Sequence, residues 1–334
     1  MSVVDKVSVS KTVSGTVGAG HAPSDTNDKL DLKKVGIAPL VGKGARQKQL
    51  TAFSIMSIPL IGFLICLWWI YEGRVTTLDY ILFTVFYVIQ MLGITVGFHR
   101  YLAHKTFSTS KVFEGILLIC GSMAGQGPIM FWVTTHRRHH TFSDKPGDPH
   151  SPNLIGNHLW GRIKGLWYAH MPWMMAKDVS VWTVFAPDIL SSRRLFFYHR
   201  TYFWWLMLGL ILPAAIGGFI GGSIEAAIGG FLFGGLGRMF LANQAAWCVG
   251  SLSHMIGSRP FRTNDSSANN WTVAIFTFGE GLQNNHHAFP GSYRHGMKWW
   301  EPDLSGWFLK LLSLVGVVWG LKHPDLQAIE QARI

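Results

Sequence analysis

The residues of this chain most able to do chemistry are its histidines. The sequence contains fifteen, and eight of them fall into short groups. The groups are His99 with His104, His136 with His139 and His140, His254 alone, and His286 with His287. His150 and His295 stand close to these groups in sequence and could support them as hydrogen-bonding partners. We interpret the scattered remainder as ordinary surface or packing residues: His21, His158, His170, His199 and His323.

The spacing of the grouped histidines indicates a metal site. Residues three and four apart on a helix share one face, so His136, His139 and His140 can point three imidazoles into one volume. His99 and His104 are five apart and would need a bend or a helix end to converge. Neutral imidazole binds iron, copper, nickel and zinc. Eight such ligands exceed the coordination sphere of one ion, so two ions are predicted, and we favour iron because redox chemistry requires a change of valence.

The composition is that of a protein embedded in a lipid bilayer. Hydrophobic residues make up 49% of the 334 residues and charged residues only 14%, whereas a soluble domain carries about 25% charged residues. The three cysteines, Cys66, Cys120 and Cys248, lie in apolar stretches without a C-x-x-C pair. A disulfide framework or a thiolate zinc site is therefore not expected.

Apolar runs of membrane length predict an all-α membrane protein with four transmembrane helices in two hairpins. The runs cover residues 51–72, 78–98, 201–222 and 226–249. Two further apolar stretches, 112–133 and 304–321, are predicted not to cross. The first contains several glycines and Pro128, and a crossing there would separate two histidine groups. The second contains Lys310 and is expected to be an amphipathic surface helix.

The distribution of basic residues predicts the orientation in the membrane. The chain before the first run, residues 99–200 and the chain after residue 250 together hold 27 of the 29 Lys and Arg residues. By the positive-inside rule, both termini and the histidine groups are cytoplasmic. The net charge of +11 is scattered rather than concentrated in a basic block, so we do not expect nucleic-acid binding.

Longer motifs around the histidines resemble the membrane acyl-CoA desaturase family of the stearoyl-CoA delta-9 type. The resemblance covers about residues 50–325. It rests on Gly93-Ile-Thr-Val-Gly-Phe-His-Arg-Tyr-Leu-Ala-His104, Trp132-Val-Thr-Thr-His-Arg-Arg-His-His140, Asp148-Pro-His150 and Gly279-Glu-Gly-Leu-Gln-Asn-Asn-His-His-Ala-Phe-Pro290. We therefore predict a disordered cytoplasmic tail over 1–45, a desaturase domain over 46–325 and a carboxy-terminal tail over 326–334.

This resemblance implies four transmembrane helices beneath a cytosolic helical cap that holds two iron ions beside a kinked tunnel for the acyl chain. It implies that the metal ligands are His99, His104, His136, His139, His140, His254, His286 and His287. Gln126 and Trp132 match positions that line the tunnel near its kink, and Tyr87 and Met91 match positions that close it. On an ideal α-helix, Met91 would lie roughly 12 Å from His99 along the axis.

Two positions depart from the family pattern. The third histidine motif of the family opens with histidine, and Gln283 stands there in this chain. The family has an asparagine four residues before the lone histidine, and that position is Gly250 here. Both changes are expected near the same metal, where the amide oxygen of Gln283 could be a weaker ligand than imidazole.

The function implied is an O2-dependent desaturase that introduces a cis double bond into a long-chain fatty acyl substrate, either acyl-CoA or acyl-lipid. Its electrons would come from a separate ferredoxin, or from cytochrome b5 with its reductase. The nearest alternative is a di-iron hydroxylase or acetylenase on the same scaffold. A membrane metal-binding or transport protein is an alternative from another class, and it would place histidines at mid-membrane depth rather than at the ends of spans.

Overall fold

The protein is largely helical, and its computed structural model describes residues 35–334. Four helices in this range are long and apolar enough to cross a membrane: Gly42–Tyr71, Thr77–Ala103, Tyr202–Gly221 and Ile224–His254. They correspond to the four predicted runs, so the predicted fold class is confirmed. Most of the predicted amino-terminal tail lies outside the described residues.

The elements follow one another as short strands and helices around these four spans. In chain order they are β1 (Ile37–Pro39), α1 (Gly42–Tyr71), α2 (Thr77–Leu92), a π-helix (Gly93–Ala103), β2 (Ser108–Thr109), α3 (Lys111–Ser122), α4 (Ile129–Phe142), α5 (Leu159–His170), a 3₁₀ turn (Pro172–Met175), β3 (Asp178–Ser180), α6 (Trp182–Phe185), α7 (Pro187–Leu190), α8 (Arg193–Arg200), α9 (Tyr202–Gly221), α10 (Ile224–Gly229), a second π-helix (Gly230–Gly237), α11 (Arg238–Ser251), a 3₁₀ turn (Leu252–His254), α12 (Trp271–Phe276), α13 (Gln283–Ala288), α14 (Leu304–Leu314), β4 (Val318–Trp319) and α15 (Leu326–Ala332).

Ordered structure begins earlier than the predicted tail boundary at residue 45. Strand β1 pairs antiparallel with β3, with Ile37 opposite Ser180. Helix α1 starts at Gly42, nine residues before the apolar run. The Lys48 ammonium donates to the carbonyl oxygens of Ala176 and Asp178, both at 2.7 Å. The first turns of α1 are polar because they contact the cap rather than lipid. Hydropathy alone therefore placed the start of this helix too late.

The four spans divide into an outer and an inner pair. Only 22% of the apolar window of α1 and 17% of that of α9 is buried, whereas 56% is buried in each of the other two spans. Large apolar side chains such as Trp68 and Phe219 point outward, and Phe219 is 90% exposed. So many apolar side chains without protein neighbours indicate a surface that faces lipid. The two inner spans, Thr77–Ala103 and Ile224–His254, lead directly to histidines of the predicted site.

The turns of the two hairpins meet at the end of the spans far from the histidines. The Arg74 guanidinium forms an ion pair with Glu225 at 2.7 Å. Thr76 caps α2, because its side chain accepts from the Asp79 amide while Asp79 accepts from the Thr76 amide. The capping box fixes where the second span begins, and thus the distance from this turn to His99.

The two apolar stretches that were predicted not to cross are short helices. Residues 112–133 divide between α3 and α4, and Gly125 and Gly127 between them adopt positive φ angles of 73° and 99°. Residues 304–321 form α14 and then β4, which pairs with β2. Helix α3 packs directly on the first π-helix, where a Cβ added at Gly93 would lie 2.2 Å from the Gly121 amide nitrogen. Only glycine allows these two backbones to approach so closely.

The carboxy-terminal segment 326–334, predicted as a tail, contains a short helix. Residues Leu326–Ala332 form a helix whose first turn is capped by the Asp325 side chain. The Arg262 amide donates to the Ala332 carbonyl at 2.9 Å, and the Ile334 amide donates to the Pro260 carbonyl at 3.1 Å. The Ile329 side chain is only 5% exposed, and its burial holds the helix against the cap.

Candidate metal centre

The first histidine pair is brought together by a π-helix. Between Gly93 and Ala103 the backbone forms π-helical turns, in which hydrogen bonds join residues five apart. The His104 amide accordingly donates to the His99 carbonyl at 3.1 Å, and the two imidazole rings are centred 4.8 Å apart. The five-residue spacing predicted a bend or a helix end, and the structure has a wider helical turn there instead. The wider turn also shortens the axial distance from Met91 to His99 below the α-helical estimate.

Helix α4 supplies the second histidine group and divides it between two sites. His136 and His140 are four apart and point to one side, and His139 points to the other. Arg137 docks this helix on the end of the first π-helix by donating to the Leu102 carbonyl at 2.7 Å and to Asp188 at 2.7 Å. The arginines of the motif therefore hold the orientation of the helix and leave the histidines free to converge.

Helix α13 supplies the third group in the same way. Gln283, His286 and His287 occupy positions i, i+3 and i+4, so they share one face of this short helix. His286 turns toward His99 and His140, and His287 turns toward His139. His254, in the 3₁₀ turn that ends the fourth span, completes the convergence.

Five imidazoles form the first histidine cluster: His99, His104, His136, His140 and His286. The Nε2 atoms of His99 and His286 are 3.1 Å apart, those of His104 and His136 are 2.7 Å apart, and those of His140 and His286 are 2.9 Å apart. Two nitrogens bound about 2.1 Å from one ion at a right angle are about 3 Å apart. The cluster therefore has the spacing of ligands arranged around a single metal ion.

Three imidazoles form the second histidine cluster: His139, His254 and His287. Each Nδ1 faces an aspartate, with distances of 3.0 Å to Asp148, 2.9 Å to Asp144 and 2.7 Å to Asp265, respectively. The three Nε2 atoms are buried and have no hydrogen-bond partner among residues 35–334. A carboxylate that orients an imidazole whose other nitrogen is free is the usual support of a metal-binding histidine. This cluster therefore fits a second metal ion.

The electrostatics of the first cluster favour neutral imidazoles. Burial, and then the neighbouring histidines, lower the pKa of His104, His136 and His140 well below the ordinary value. Burial followed by the proximity of His295 does the same to the pKa of His286. Neutral imidazole is the form that coordinates a metal. These rings can thus bind an ion without first releasing a proton near neutral pH.

The second cluster is surrounded by negative charge. Burial alone would raise the pKa values of Asp144, Asp148 and Asp265, but the paired histidines hold all three below their usual range. Burial likewise would lower the pKa of His139, yet Asp148 raises it. Three ionised carboxylates behind three imidazoles favour a positive charge at the centre of the cluster. A divalent metal ion supplies that charge.

Buried charged side chains contact His99 on the side away from the first cluster. Its Nδ1 contacts Glu280, and Glu280 lies 3.4 Å from the guanidinium of Arg100. Arg100 is fully buried and forms an ion pair with Asp303 at 2.9 Å. His295 packs against His99 and His286 with ring centres 5.3 and 4.5 Å away. His295 therefore lies beside the first cluster, as its position in the sequence suggested.

A pocket with mostly apolar walls opens beside both clusters. Metal-site residues on its wall include His99, His136 and His139, and the apolar lining includes Met91, Ile94, Trp132 and Trp247. Gln126, Gln283 and Gly250 also border it. Tyr87 packs elsewhere, with its hydroxyl donating to the Phe276 carbonyl at 2.7 Å and its ring against Phe278. Of the two residues expected to close a tunnel, the structure thus places Met91 at the pocket.

A chain of polar side chains fixes the wall of this pocket from within the membrane region. The Trp132 indole donates to Gln126 Oε1 at 3.1 Å, and Gln126 Nε2 donates to Asn243 Oδ1 at 3.1 Å. Asn243 also accepts from Gln90, and Gln90 in turn accepts from Arg238. Arg238 is fully buried and donates to the Gly209 carbonyl at 2.6 Å. The network satisfies a buried charge and gives Gln126 and Trp132 fixed orientations.

Several residues of the site were not identified from the sequence. Glu280 and Asp148 lie within the motifs that were quoted, and their position beside histidines was the available signal. Asp144 and Asp265 are hydrogen-bonded to histidines 110 and 22 residues away, so local spacing gave no indication of them. The scattered histidines of the described range, His158, His170, His199 and His323, lie outside both clusters, and His21 lies outside the described residues.

The comparisons with known proteins agree with this geometry. The family model for fatty acid desaturases matches residues 76–304. The chain belongs to the fatty acid desaturase family. It is 40% identical to a hex-5-enoyl-[acyl-carrier protein] acetylenase of Moorena producens over 87% of this chain and 91% of that protein. It is 37% identical to an sn-1 stearoyl-lipid 9-desaturase of Synechocystis over 74% of this chain and 72% of that protein.

A third relative of this desaturase is acyl-CoA desaturase 1 of Saccharomyces cerevisiae, which is 33% identical over 84% of this chain and 52% of the yeast protein. The named substrates of the three relatives differ in chain length and in the group that carries the acyl chain. The predicted family and enzyme class, an oxidoreductase acting on fatty acyl chains, are confirmed. The predicted histidines are brought together in the two clusters, and their role as iron ligands remains a prediction.

Proposed function

We propose that this desaturase uses two iron ions and O2 to introduce a cis double bond into a fatty acyl chain. The eight clustered histidines are the proposed ligands, five at one ion and three at the other. The observation that carries the proposal is the position of the pocket, because His99, His136 and His139 form part of the same wall as Met91 and Ile94. An apolar chain in that pocket would lie against both metals.

The reaction needs an oxidant at the metals and a dry, oriented substrate. Bound iron supplies the redox chemistry with O2. Overall, two adjacent methylenes lose two hydrogens, an external donor supplies two electrons and solvent supplies two protons, so that O2 is reduced to two waters. The apolar wall excludes bulk water from the oxidised carbons. The hydrogen-bonded pair of Gln126 and Trp132 orients the chain beside His136, against whose ring Trp132 stacks at 5.2 Å.

A second candidate function is the formation of a triple bond. The relative from Moorena producens is named an acetylenase and matches this chain at 40% identity over nearly all of its length. Both reactions remove two hydrogens from adjacent carbons, and they differ in whether the substrate is saturated or already an alkene. The histidine clusters would serve either reaction. The two candidates are distinguished by the substrate that is consumed.

Fatty-acid profiling tests the choice directly. The full chain is expressed in a desaturase-deficient host, and its acyl products are analysed by mass spectrometry with and without added monounsaturated acyl chains. We expect a new cis alkene from saturated chains. A triple bond formed only from the added alkenes would replace the desaturase by the acetylenase, and a hydroxylated product would replace both by a hydroxylase.

We infer that the electrons come from a separate acidic protein, either a ferredoxin or cytochrome b5 with its reductase. The cap carries exposed basic side chains such as Lys145, Arg162 and Lys164. The net charge of the chain is +11. Opposite charge accelerates the encounter of two proteins and fixes their orientation.

The proposed topology places both termini and both clusters in the cytoplasm. Cysteine labelling can test it in a background where Cys66, Cys120 and Cys248 are replaced by alanine. We expect Val41→Cys and Trp299→Cys, at residues that are 78% and 82% exposed, to react with an impermeant reagent from the cytoplasm. Glu72→Cys, in the exposed turn between the first two spans, is expected to react only from the opposite face. Labelling of Val41→Cys and Trp299→Cys from different faces would overturn this topology.

The proposed role of Met91 is to limit the length of the acyl chain. Its side chain is 1% exposed and lies on the pocket wall. Met91→Ala removes this bulk, and the preference should shift toward longer chains by several carbons with both metals retained. Competition between substrates of graded length measures the shift. Because Tyr87 packs against Phe278 and is bonded to the Phe276 carbonyl, Tyr87→Ala should shift the profile less.

The matched control for this variant is Met239→Ala, which truncates a methionine of equal size that is 4% exposed in α11. It should destabilise the protein, as loss of a buried methionine usually does by about 2–5 kcal/mol, without altering the length profile. If Met91→Ala leaves the profile unchanged, the residue only packs between helices.

A further inference from the structure

The second histidine cluster provides three imidazoles, whereas the first provides five. A metal ion in the second cluster thus has coordination positions that histidine does not fill. Catalytic metal sites commonly keep such a position for water or substrate. The pocket reaches this cluster through His139, so groups that border the pocket beside His139 are the ones able to complete the site.

Two polar atoms border the pocket at this point and remain unsatisfied. Gln283 is 3% exposed, and its side-chain oxygen is buried without a hydrogen-bond partner anywhere in the described chain. The same holds within residues 35–334 for Nδ1 of His150. A buried polar atom without a hydrogen-bond partner destabilises the folded protein. Both residues border the same pocket as His139, which indicates that their unpaired atoms face a ligand.

The Gln283 side chain starts from the same helix face as two of the clustered histidines. Gln283 lies one helical turn before His286 and His287 on the same face of α13. That face carries one histidine to each cluster. An amide side chain starting from this turn therefore reaches toward the metals, and its carbonyl oxygen is the atom left without a partner.

His150 is placed differently, because its ring stacks on that of His139. The two ring centres are 4.4 Å apart and the planes are inclined by 25°. A metal bound to His139 would lie near the plane of the His139 ring, and thus outside the plane of the nearly parallel His150 ring. The Nδ1 lone pair of His150, which lies in its own ring plane, would then not point at that ion. It can reach a water molecule bound to the ion.

Gly250 makes room for this arrangement. A Cβ added at Gly250 would lie 2.9 Å from His150 Nδ1, which is closer than real Cβ contacts. Nδ1 of His150 therefore faces the space that the side chain of any other residue at position 250 would occupy. A polar side chain at this point of the pocket can come from position 250 or from His150, but not from both.

We propose that the second metal site is completed from the pocket side by Gln283, whose side-chain oxygen binds the metal, and by His150, whose Nδ1 holds a metal-bound water in the space left by Gly250. His150 is then a positioning residue, and the water marks the coordination position that is open to small molecules from the pocket. This proposal rests on the two-metal function proposed above.

Metal retention tests the proposal without reference to turnover. The detergent-solubilised full chain is loaded anaerobically with ferrous iron, dialysed against graded concentrations of a chelator, and its iron per chain is counted by mass spectrometry. Gln283→Ala and His150→Ala should each release one iron at a chelator concentration roughly 10–100-fold lower than the unaltered protein requires. Loss of a group that supports a metal site usually has an effect of this size. The other iron should be retained. Gln283→His should retain both irons, because imidazole replaces a weaker ligand.

A double substitution separates this role from simple packing. Gly250→Asn alone should displace His150 and weaken the second iron, whereas Gly250→Asn combined with His150→Ala should restore it, because the new amide takes the place of the ring. The exposed His158→Ala is the matched control and should retain both irons. Full retention of both irons in Gln283→Ala and His150→Ala, or no recovery in the double variant, would overturn this proposal and leave the two-metal function intact. Unaltered protein that binds no second iron would overturn both.

Discussion

His286→Ala is expected to abolish turnover and to release at least one metal while the membrane fold survives. The His286 ring is the most connected member of the first cluster, with Nε2 at 3.1 Å from that of His99 and 2.9 Å from that of His140. Its removal leaves four imidazoles around an ion and opens a gap beside Glu280 and His295. His140→Ala should have the same effect, because that ring also stacks on His287 of the second cluster at 4.6 Å.

The measurements are iron per chain and the rate of acyl oxidation with a saturating electron donor. We expect turnover to fall by more than about 100-fold, which exceeds the effect of losing a supporting residue. Survival of the fold is checked by the helical circular dichroism and by the elution of the solubilised protein. His158→Ala, at an exposed histidine outside both clusters, should behave as the unaltered enzyme. Normal turnover of either cluster variant would contradict the assignment of these histidines as ligands.

Asp148→Ala is expected to weaken the second metal by about 10–100-fold and to lower turnover in proportion. Both carboxylate oxygens of Asp148 lie 3.0 Å from His139 Nδ1. The carboxylate also accepts from the amides of Asp144 and His150, at 2.8 and 3.1 Å. Its loss frees the His139 ring to rotate and removes one of three negative charges behind the second cluster.

The conservative variant Asp148→Asn should have a smaller effect, because the amide retains an acceptor for His139 but not the charge. Asp325→Asn is the matched control, since Asp325 caps α15 and asparagine caps equally well. A chelator titration measures the affinity of the second metal in each variant. If Asp148→Ala binds both metals as tightly as the control, the aspartates do not support the site.

The grouping of the histidines was predictable from the sequence because the members of each group lie close together in the chain. His136, His139 and His140 share a helical face by spacing alone, and Gln283 with His286 and His287 repeats the pattern. The assignment of these histidines to two separate clusters was not predictable. It depends on the π-helical turn between His99 and His104 and on the angle at which α4 docks through Arg137.

The aspartates that contact the histidines could not be predicted from the sequence, for a different reason. Asp265 approaches His287 from the loop between the fourth span and α12, and Asp144 approaches His254 from 110 residues earlier in the chain. Such contacts depend on tertiary packing, for which hydropathy and spacing carry no signal. The start of α1 was missed on similar grounds, since Lys48 lies on the cap and not in lipid.

The membrane architecture was predicted more completely, because lipid imposes a length and a composition on each span. Buried polar residues inside the spans were the exception. Arg238 and Asn243 were visible as polar positions, but their partner Gln90 and the connection to Gln126 follow only from the packing of two helices and the loop between α3 and α4. The network explains why an arginine is tolerated there.

The central claim is that one chain binds two iron ions in the two histidine clusters. Mössbauer and mass-spectrometric analysis of the purified full chain, expressed with ⁵⁷Fe, tests it most directly. We predict two irons per chain in two distinct environments, one rich in imidazole and one with oxygen ligands in addition. A single iron per chain, or tightly bound zinc in place of iron in an otherwise active enzyme, would contradict the account.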